Sequence, residues 1–334
     1  MMFELSFIWA GIIAFAVLTY VILDGFDLGI GILFPFANGE QEKAAMMNSI
    51  APIWDGNETW LVLGGGGLFA VFPLAYAVIM PALYMPIILM LLALIFRGVA
   101  FEYRWRTTRW KPVWDVAFFG GSFVAAFMQG IALGALVQGI EIADRAYAGG
   151  WWDWLSIFSL LTGLAVVVGY ALLGATWIIL KTEGSLQRQM QSYAWWLGAG
   201  TLGFIGIVSI MTPFQDPEYF QRWLNLPGSA LSVIMPGAVL AAAWGLFTGL
   251  NAGKDAQPFL SALSLFVLCF VGIGISFYPN IVPPGLTIVD AAAPDSSLRF
   301  ALVGTVVLVP LILGYTAYAY WVFRGKIDPE EGYH

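Results

Sequence analysis

Two aspartates stand inside an apolar stretch, LDGFDLGIGILFPF, at residues 23–36. Asp24 and Asp27 are three positions apart, so both carboxylates share one face of any helix that forms there. The next apolar segment, NSIAPIWDGNETWLVLGGGG, repeats this spacing with Asp55 and Glu58. Carboxylates that are grouped and withdrawn from water can bind and release protons near neutral pH, which is the chemistry of a proton relay.

The composition places these acids in a membrane protein. Of the 334 residues, 60% are hydrophobic and 10% are charged, whereas soluble domains are about 25% charged. The apolar stretches run for about 20 residues without alternating with polar ones, which indicates helices and not a β-barrel. The sequence therefore predicts an all-α polytopic membrane protein.

Nine apolar segments predict nine transmembrane helices. Short basic loops stay in the cytoplasm, and all of the 14 Lys and Arg residues except Arg145, Arg222 and Arg299 fall on one side. This asymmetry predicts a periplasmic N-terminus and a cytoplasmic C-terminus. The segments lie near residues 7–33, 50–72, 75–98, 114–140, 154–180, 193–213, 229–251, 257–279 and 298–323.

We expect these spans to form two four-helix bundles and one additional helix. Residues 1–142 form the first bundle and contain the acidic residues, residues 143–280 form the second, and residues 281–334 form the ninth helix and a cytoplasmic tail. One faint internal similarity points to a repeat: LTYVILDGFDLG in the first span resembles VGYALLGATWII in the fifth, which aligns Tyr20 with Tyr170.

The spacing also predicts where the acids lie in the membrane. A helix rises 1.5 Å per residue, so Asp27 lies about 30 Å from the outer end of the first span. Charges inside a span cost about 2.5–3.5 kcal/mol each, which favours gathering them at one place. The residues expected at this inner margin come from four spans and are Asp24, Asp27, Asp55, Glu58, Arg97 and Asp115.

Two interpretations of this group stay open. The carboxylates outnumber the cation, which favours a cytoplasmic proton uptake path through Asp24, Asp27, Asp55 and Glu58. Alternatively, the charges only pair and fix the order of the helices. The roles can also divide: Arg97 pairs with Asp27 and leaves the other acids to carry protons. The supporting ion pairs are expected to involve Arg97, Asp115 and Glu102.

Other residue types exclude several kinds of site. The one histidine, His334, ends the chain, and the one cysteine, Cys269, lies within an apolar run. Neither is a credible haem or metal ligand, so the sequence predicts that this chain ligates no haem, zinc or copper. A net charge of −7 disfavours nucleic acid as a partner. Glu141 is expected to be a solvated helix end or a contact to a partner chain.

Several motifs resemble one known family. DGFDLGIG, SIAPIWDGNETWL, FRGVAFEYR, WDVAFFGGSF and YTAYAYWVFRGKI are similar to subunit II of the cytochrome bd-type quinol oxidases, and the similarity spans nearly the whole chain. The segments GNETWLVLGGGG and FRGVAFE are more similar to the shorter, cyanide-insensitive branch of that family.

The resemblance implies a role in bacterial respiration. Such an enzyme oxidises quinol at the outer face of the inner membrane and reduces dioxygen to water with cytoplasmic protons. Its two haems b and its haem d lie in subunit I, and subunit II supports that partner and lines a proton route. By motif, this route falls on Asp24, Asp27, Asp55 and Glu58. A structural quinone or lipid and a small single-span accessory subunit are further candidates for binding.

Two rival functions belong to other classes. An ion-coupled secondary transporter would use the same acids as a coupling site at mid-depth of the membrane. A purely structural scaffold subunit would use them only to hold its helices in order.

Overall fold

The fold is described here by a computed structural model, which covers residues 4–225 and 230–327. His334 and the rest of the predicted tail beyond residue 327 lie outside the described residues. The helices of the described part are α1 (Leu5–Leu33), α2 (Gly39–Asn48), α3 (Trp54–Val71), α4 (Pro73–Ala82), α5 (Tyr84–Trp105), α6 (Lys111–Gln138), α7 (Ile157–Lys181), α8 (Gly184–Met211), α9 (Pro217–Leu224), α10 (Leu231–Asn251), α11 (Ala256–Phe277), α12 (Ile288–Ala291) and α13 (Asp295–Val322).

Two short antiparallel hairpins accompany the helices. Strands β1 (Ile142–Ala143) and β2 (Ala146–Tyr147) follow α6, and β3 (Asn280–Val282) and β4 (Leu286–Thr287) follow α11. The backbone N–H of Ile140 donates to Pro283, which ties the two connections together at 2.9 Å. The prediction of an all-α membrane protein is confirmed by this helical architecture.

Eight of the described helices are long and apolar enough to cross a membrane: α1, α5, α6, α7, α8, α10, α11 and α13. The predicted span that is not among these eight, residues 50–72, corresponds to α3, which has 18 residues. This helix carries Asp55, Asn57 and Glu58 in its first two turns, so its composition is less apolar than that of the others. Its length of about 27 Å is close to the thickness of the hydrocarbon layer. The count of nine stays a prediction.

The third predicted span, 75–98, is wrong in its bounds. Residues in that range belong to two helices, because α4 ends at Ala82 and α5 begins at Tyr84 and continues to Trp105. Pro86 explains the break: its ring nitrogen cannot donate to the carbonyl of Ala82, and proline is tolerated only in the first turn of a helix. The consequence is that α5 extends about two turns further than predicted, and it carries Arg104 in its last turn.

The long helices alternate in direction, so most basic residues collect at one end. We call this the basic end: α1, α5, α7, α10 and α13 finish there, and it holds Lys43, Arg104, Lys111, Lys181 and Lys326. The short helix α2 packs across it, with Met46 and Met47 fully buried. The opposite end carries the two hairpins.

Helices α1 and α7 approach each other closely through glycines. A methyl group added at Gly29 would overlap the carbonyl of Tyr170, and one added at Gly174 would overlap the backbone of Gly29. On α3, added methyl groups at Gly67 and Gly64 would lie 2.5 Å and 3.3 Å from Ile13 and Val17 of α1. Two of the four glycines in GGGG therefore pack closely on α1, whereas Gly65 and Gly66 face open space.

Helix α13 is held mainly at its two ends. Near its start, the indole of Trp9 donates to the carbonyl of Leu298 at 3.1 Å. At the basic end, the Lys181 ammonium donates to the carbonyls of Phe323 and Gly325. Lys326 donates in return to Ile179 and Thr182 at the end of α7. Between these points most of its side chains are exposed.

The proposed division into two four-helix bundles stays a prediction. Helix α7, the first helix of the second predicted bundle, packs on α1 and α6 of the first as well as on α8.

We predict that Gly174→Ala weakens the packing of α1 on α7, because the new methyl group has no space between the backbones. Overpacking of this kind costs about 1–3 kcal/mol, and more where backbone must move. The measurement is the yield and thermal stability of the purified complex. Gly11→Ala on α1 is the matched control, since no atom lies within 4 Å of its added methyl group. Equal stability of the two variants would contradict the prediction.

Candidate functional site

A buried arginine joins two of the predicted acids. Arg97 of α5 is 1% exposed. Its Nη1 donates to Glu58 Oε1 of α3 at 2.6 Å and lies 3.6 Å from Asp24 Oδ1 of α1. Three helices that are distant in sequence therefore place a cation and two carboxylates in contact. We call Asp24, Asp27, Glu58 and Arg97 the acid–arginine cluster.

The fourth member of the cluster, Asp27, is hydrogen-bonded to the side-chain amide of Asn57. Asn57 Nδ2 donates to Asp27 Oδ2 at 2.7 Å, and Asp27 is fully buried. The direct pairing of Arg97 with Asp27 that the sequence suggested is not found, because Arg97 contacts Asp24 and Glu58 instead. On α1 the two aspartates do share one side, and they face α5 and α3 respectively.

The charges in the cluster are unequal. One arginine faces three carboxylates, and ionised carboxylates in a medium of low polarity repel one another strongly. Neither carboxylate oxygen of Asp24 accepts a hydrogen bond of ordinary geometry from the described residues, and the same holds for Asp27 Oδ1. The neighbours of Asp24 are Arg97 at 3.6 Å and the Tyr20 hydroxyl one turn away, so its oxygens keep capacity to take up a proton or a water molecule.

Access to the cluster decreases from one acid to the next. Asp55 is exposed in the first turn of α3, and the Glu58 side chain, three residues later, is 25% exposed. Asp24 and Asp27 are both 0% exposed. The two acids of α3 therefore lie between the surface of the chain and the buried acids of α1.

A second, separate group of charged residues is the end cluster of Glu40, Lys43, Arg104, Lys111 and Asp115. Asp115 accepts from Arg104 Nε at 2.5 Å and from Lys43 at 2.6 Å. Glu40 accepts from Arg104 at 3.0 Å and lies 3.2 Å from Lys111. Partial burial of Glu40 opposes its ionisation, but Arg104 and Lys111 hold the pKa of this carboxyl below its usual value.

The ion pairs expected for Asp115 and Glu102 differ from those in the structure. Asp115 forms ion pairs, but within the end cluster and not beside Arg97. Glu102 is exposed and takes part in no ion pair of the described chain. The unforeseen partner is Arg104, which is 1% exposed and lies 5.3 Å from the ring of Phe34. Its role was hidden because the predicted third span, 75–98, ended before it.

Several polar residues around the acids were also missed. The hydroxyl of Tyr320, from α13, donates to Asn57 Oδ1 at 3.0 Å. One turn before Asp24, the Tyr20 hydroxyl accepts from Gln129 Nε2, and the Tyr170 hydroxyl donates to Gln129 Oε1, each at 2.7 Å. A polar group in the middle of an apolar run is the signal that could have found them, as in VAAFMQGIA around Gln129.

The described residues contain no group of three or more His, Cys, Asp and Glu side chains placed to hold a metal ion. Cys269 is half-buried on α11. A cavity of about 270 Å³ at the basic end is lined by Trp177, Lys181, Phe259, Tyr320 and Arg324, among others. At the opposite end Glu141 is exposed, and neighbouring Gln138 accepts from the Ser156 hydroxyl at 2.5 Å.

Comparison with known proteins gives one consistent family. The family profile described as cytochrome bd terminal oxidase subunit II matches residues 5–323. Cytochrome bd-I ubiquinol oxidase subunit 2 of Escherichia coli (strain K12) is 32% identical over 98% of this chain and 96% of that protein. Cytochrome bd ubiquinol oxidase subunit 2 of Bacillus subtilis (strain 168) is 30% identical over 99% of both chains.

A solved structure has the same fold. The chain superposes on the bd oxidase from Geobacillus thermodenitrificans with a TM-score of 0.80 over 96% of this chain and 99% of that one. The sequence identity is 16%, so this likeness concerns the fold alone.

Proposed function

We propose, since the chain belongs to the cytochrome bd terminal oxidase subunit II family, that its acid–arginine cluster carries protons toward the oxygen-reducing site of the complex. The chain is a subunit of a respiratory quinol oxidase in the bacterial inner membrane, where it spans the membrane several times. Its partner is subunit I, and the complex contains haem. Family membership sets aside the secondary transporter.

The observation that carries the proposal is that side-chain exposure decreases from Asp55 through Glu58 to Asp24. Asp55 takes a proton from water at the surface of α3, and Glu58 passes it inward. Arg97 contacts both Glu58 and Asp24 through one nitrogen atom, so the two carboxyl groups lie close together around it. Asp24, whose oxygens accept no hydrogen bond of ordinary geometry in the described chain, is the inner acceptor of this route.

The proposed direction of transport follows from the basic residues. If the basic end faces the cytoplasm, as the distribution of Lys and Arg favours, the cluster lies nearer the cytoplasmic side. Protons for water then come from the cytoplasm. Each elementary charge moved across 100 mV is worth about 2.3 kcal/mol, so uptake from this side conserves energy without a pump.

The haem groups are proposed to lie in subunit I. Haem iron takes axial ligands such as histidine, cysteine or methionine. The described residues contain no histidine, and Cys269 is half-buried on α11, which leaves methionine as the remaining donor of these types among them. This donor set supports the proposal that subunit I ligates the haem iron. The cyanide-insensitive branch, a structural quinone or lipid, and an accessory subunit stay predictions.

The contacts of Arg97 also fit the alternative that the acid–arginine cluster has a purely structural role. A buried cation with two carboxylates from other helices fixes the relative position of α1, α3 and α5, whether or not a proton moves. Charge-neutral substitutions separate the two roles, because they preserve shape and remove the ability to exchange a proton.

We predict that Asp24→Asn lowers oxygen consumption by about 10²-fold, as expected for loss of a proton-transferring group. The amount of assembled complex and its haem absorption should persist, because the side chain keeps its shape. Glu183→Gln, an exposed acid near the basic end, is the control and should be active. Normal turnover of Asp24→Asn would contradict a relay at this position, and loss of haem together with activity would support the structural role.

A second prediction tests charge balance at Arg97. Arg97→Gln leaves Asp24 and Glu58 buried without their cation, which costs about 3–5 kcal/mol, so the yield of assembled complex should fall. Combining it with Asp24→Asn removes one uncompensated charge and should restore part of the yield. Arg106→Gln, an exposed residue of the same segment, should behave as wild type. No recovery in the double variant would show that Arg97 acts by packing alone.

Co-purification tests the assignment of haem. A tag on this chain should capture a larger chain that carries all visible absorption, and the separated chain should show none. Visible absorption that stays with this chain would overturn the assignment.

A further inference from the structure

Tyr320 on α13 is placed to act on the cluster from outside it. Its ring packs against Phe26 and Trp177 with centroid distances of 6.5 Å and 6.1 Å. Its hydroxyl donates to Asn57 Oδ1 at 3.0 Å. This is a side-chain hydrogen bond from the last described helix to the polar face of α3, across 263 residues of sequence.

Asn57 is fixed at both ends of its amide. It is 1% exposed, its oxygen accepts from Tyr320, and its nitrogen donates to Asp27 Oδ2 at 2.7 Å and to the carbonyl of Leu23 at 3.4 Å. An amide can be turned over to exchange its oxygen and nitrogen. The Tyr320 hydroxyl opposes this, because turning the amide over would take away the oxygen to which this hydroxyl donates and would bring that oxygen against the carbonyl of Leu23.

The amide does not conduct protons itself, since neither end ionises near neutral pH. Its effect on Asp27 is to present a donor to one carboxylate oxygen, while the other has no hydrogen-bond partner among the described residues. A fixed donor favours the ionised form of a carboxyl group. The charged and titratable groups that face Asp27 are Asp24 on α1, Glu58 on α3, Arg97 on α5 and Tyr320 on α13.

We propose that Tyr320 and Asn57 are positioning residues for Asp27: the tyrosine hydroxyl holds the amide in the orientation that donates to this aspartate, and so sets how readily it releases a proton. The inference rests on the proposed proton relay and adds Asp27, with a residue from the last helix, to its control. Removal of the hydroxyl leaves the ring in place and frees the amide to turn its oxygen toward Asp27, which favours the protonated acid.

The experiment compares Tyr320→Phe with wild type in the purified, haem-loaded complex, by oxygen consumption as a function of pH. The alkaline limb of the profile should move to higher pH by about half to one unit, the size expected when a charged hydrogen bond is weakened. Tyr318→Phe is the control, because Tyr318 lies on the same helix, is 63% exposed and makes no hydrogen bond in the described chain. A profile of Tyr320→Phe that superposes on wild type would overturn the proposal.

Two further variants separate this proposal from the relay itself. Asn57→Ala should move the limb in the same direction, and in an Asp27→Asn background Tyr320→Phe should produce no further shift. A shift that persists without the Asp27 carboxyl would show that Tyr320 acts elsewhere and would refute the positioning role. If Asp27→Asn alone leaves oxygen consumption unchanged, the relay at Asp27 is refuted. If Asp27→Asn lowers oxygen consumption but Tyr320→Phe does not change the pH profile, only the positioning role is refuted.

Discussion

The burial of Arg97 is the constraint on which the first part of the fold depends. A guanidinium group withdrawn from water needs carboxylates within hydrogen-bond reach, because the free-energy cost of burying it alone is larger than the stabilisation from helix packing. Glu58 and Asp24 meet this requirement from two other helices. The rotation and depth of α1, α3 and α5 are thereby set together, and a slide of any one of them by a turn would strand a charge in an apolar surrounding.

The acid–arginine cluster and the end cluster are separate, and they differ in their balance of positive and negative charges. In the end cluster, three cations face two carboxylates near water, so pairing is nearly complete. Deeper in the protein, three carboxylates share one cation. Helix α2, with buried Met46 and Met47, lies across the basic end. The exposed acid next to the deeper group is Asp55, in the first turn of α3.

The sequence predicts the helical class, most spans and the gathering of acids around Arg97, because these follow from hydropathy and from spacing along single helices. It does not predict which groups pair, since that depends on how neighbouring helices rotate against each other. The glycine contact of α1 with α7, for example, fixes the orientation of α1 but has no counterpart in spacing. Asp115 was grouped with Arg97 but pairs with Arg104, because α5 continues to Trp105, about two turns beyond the predicted end of the third span. Tyr320 and Asn57 come from positions too distant for any local pattern.

The attachment of α13 at its two ends bears on the order in which the protein is made. Membrane helices leave the ribosome in sequence, so α1, α3 and α5 can bring Asp24, Glu58 and Arg97 together long before α13 exists. Three contacts form only after α13 has inserted: the hydrogen bonds of Lys181 to Phe323, of Lys326 to Thr182 and of Tyr320 to Asn57. A chain without α13 would thus contain the acids and their arginine but would lack the hydrogen bond of Tyr320 to Asn57, the partner of Asp27. The polar network around Asp27 is therefore complete only when α13 is in place.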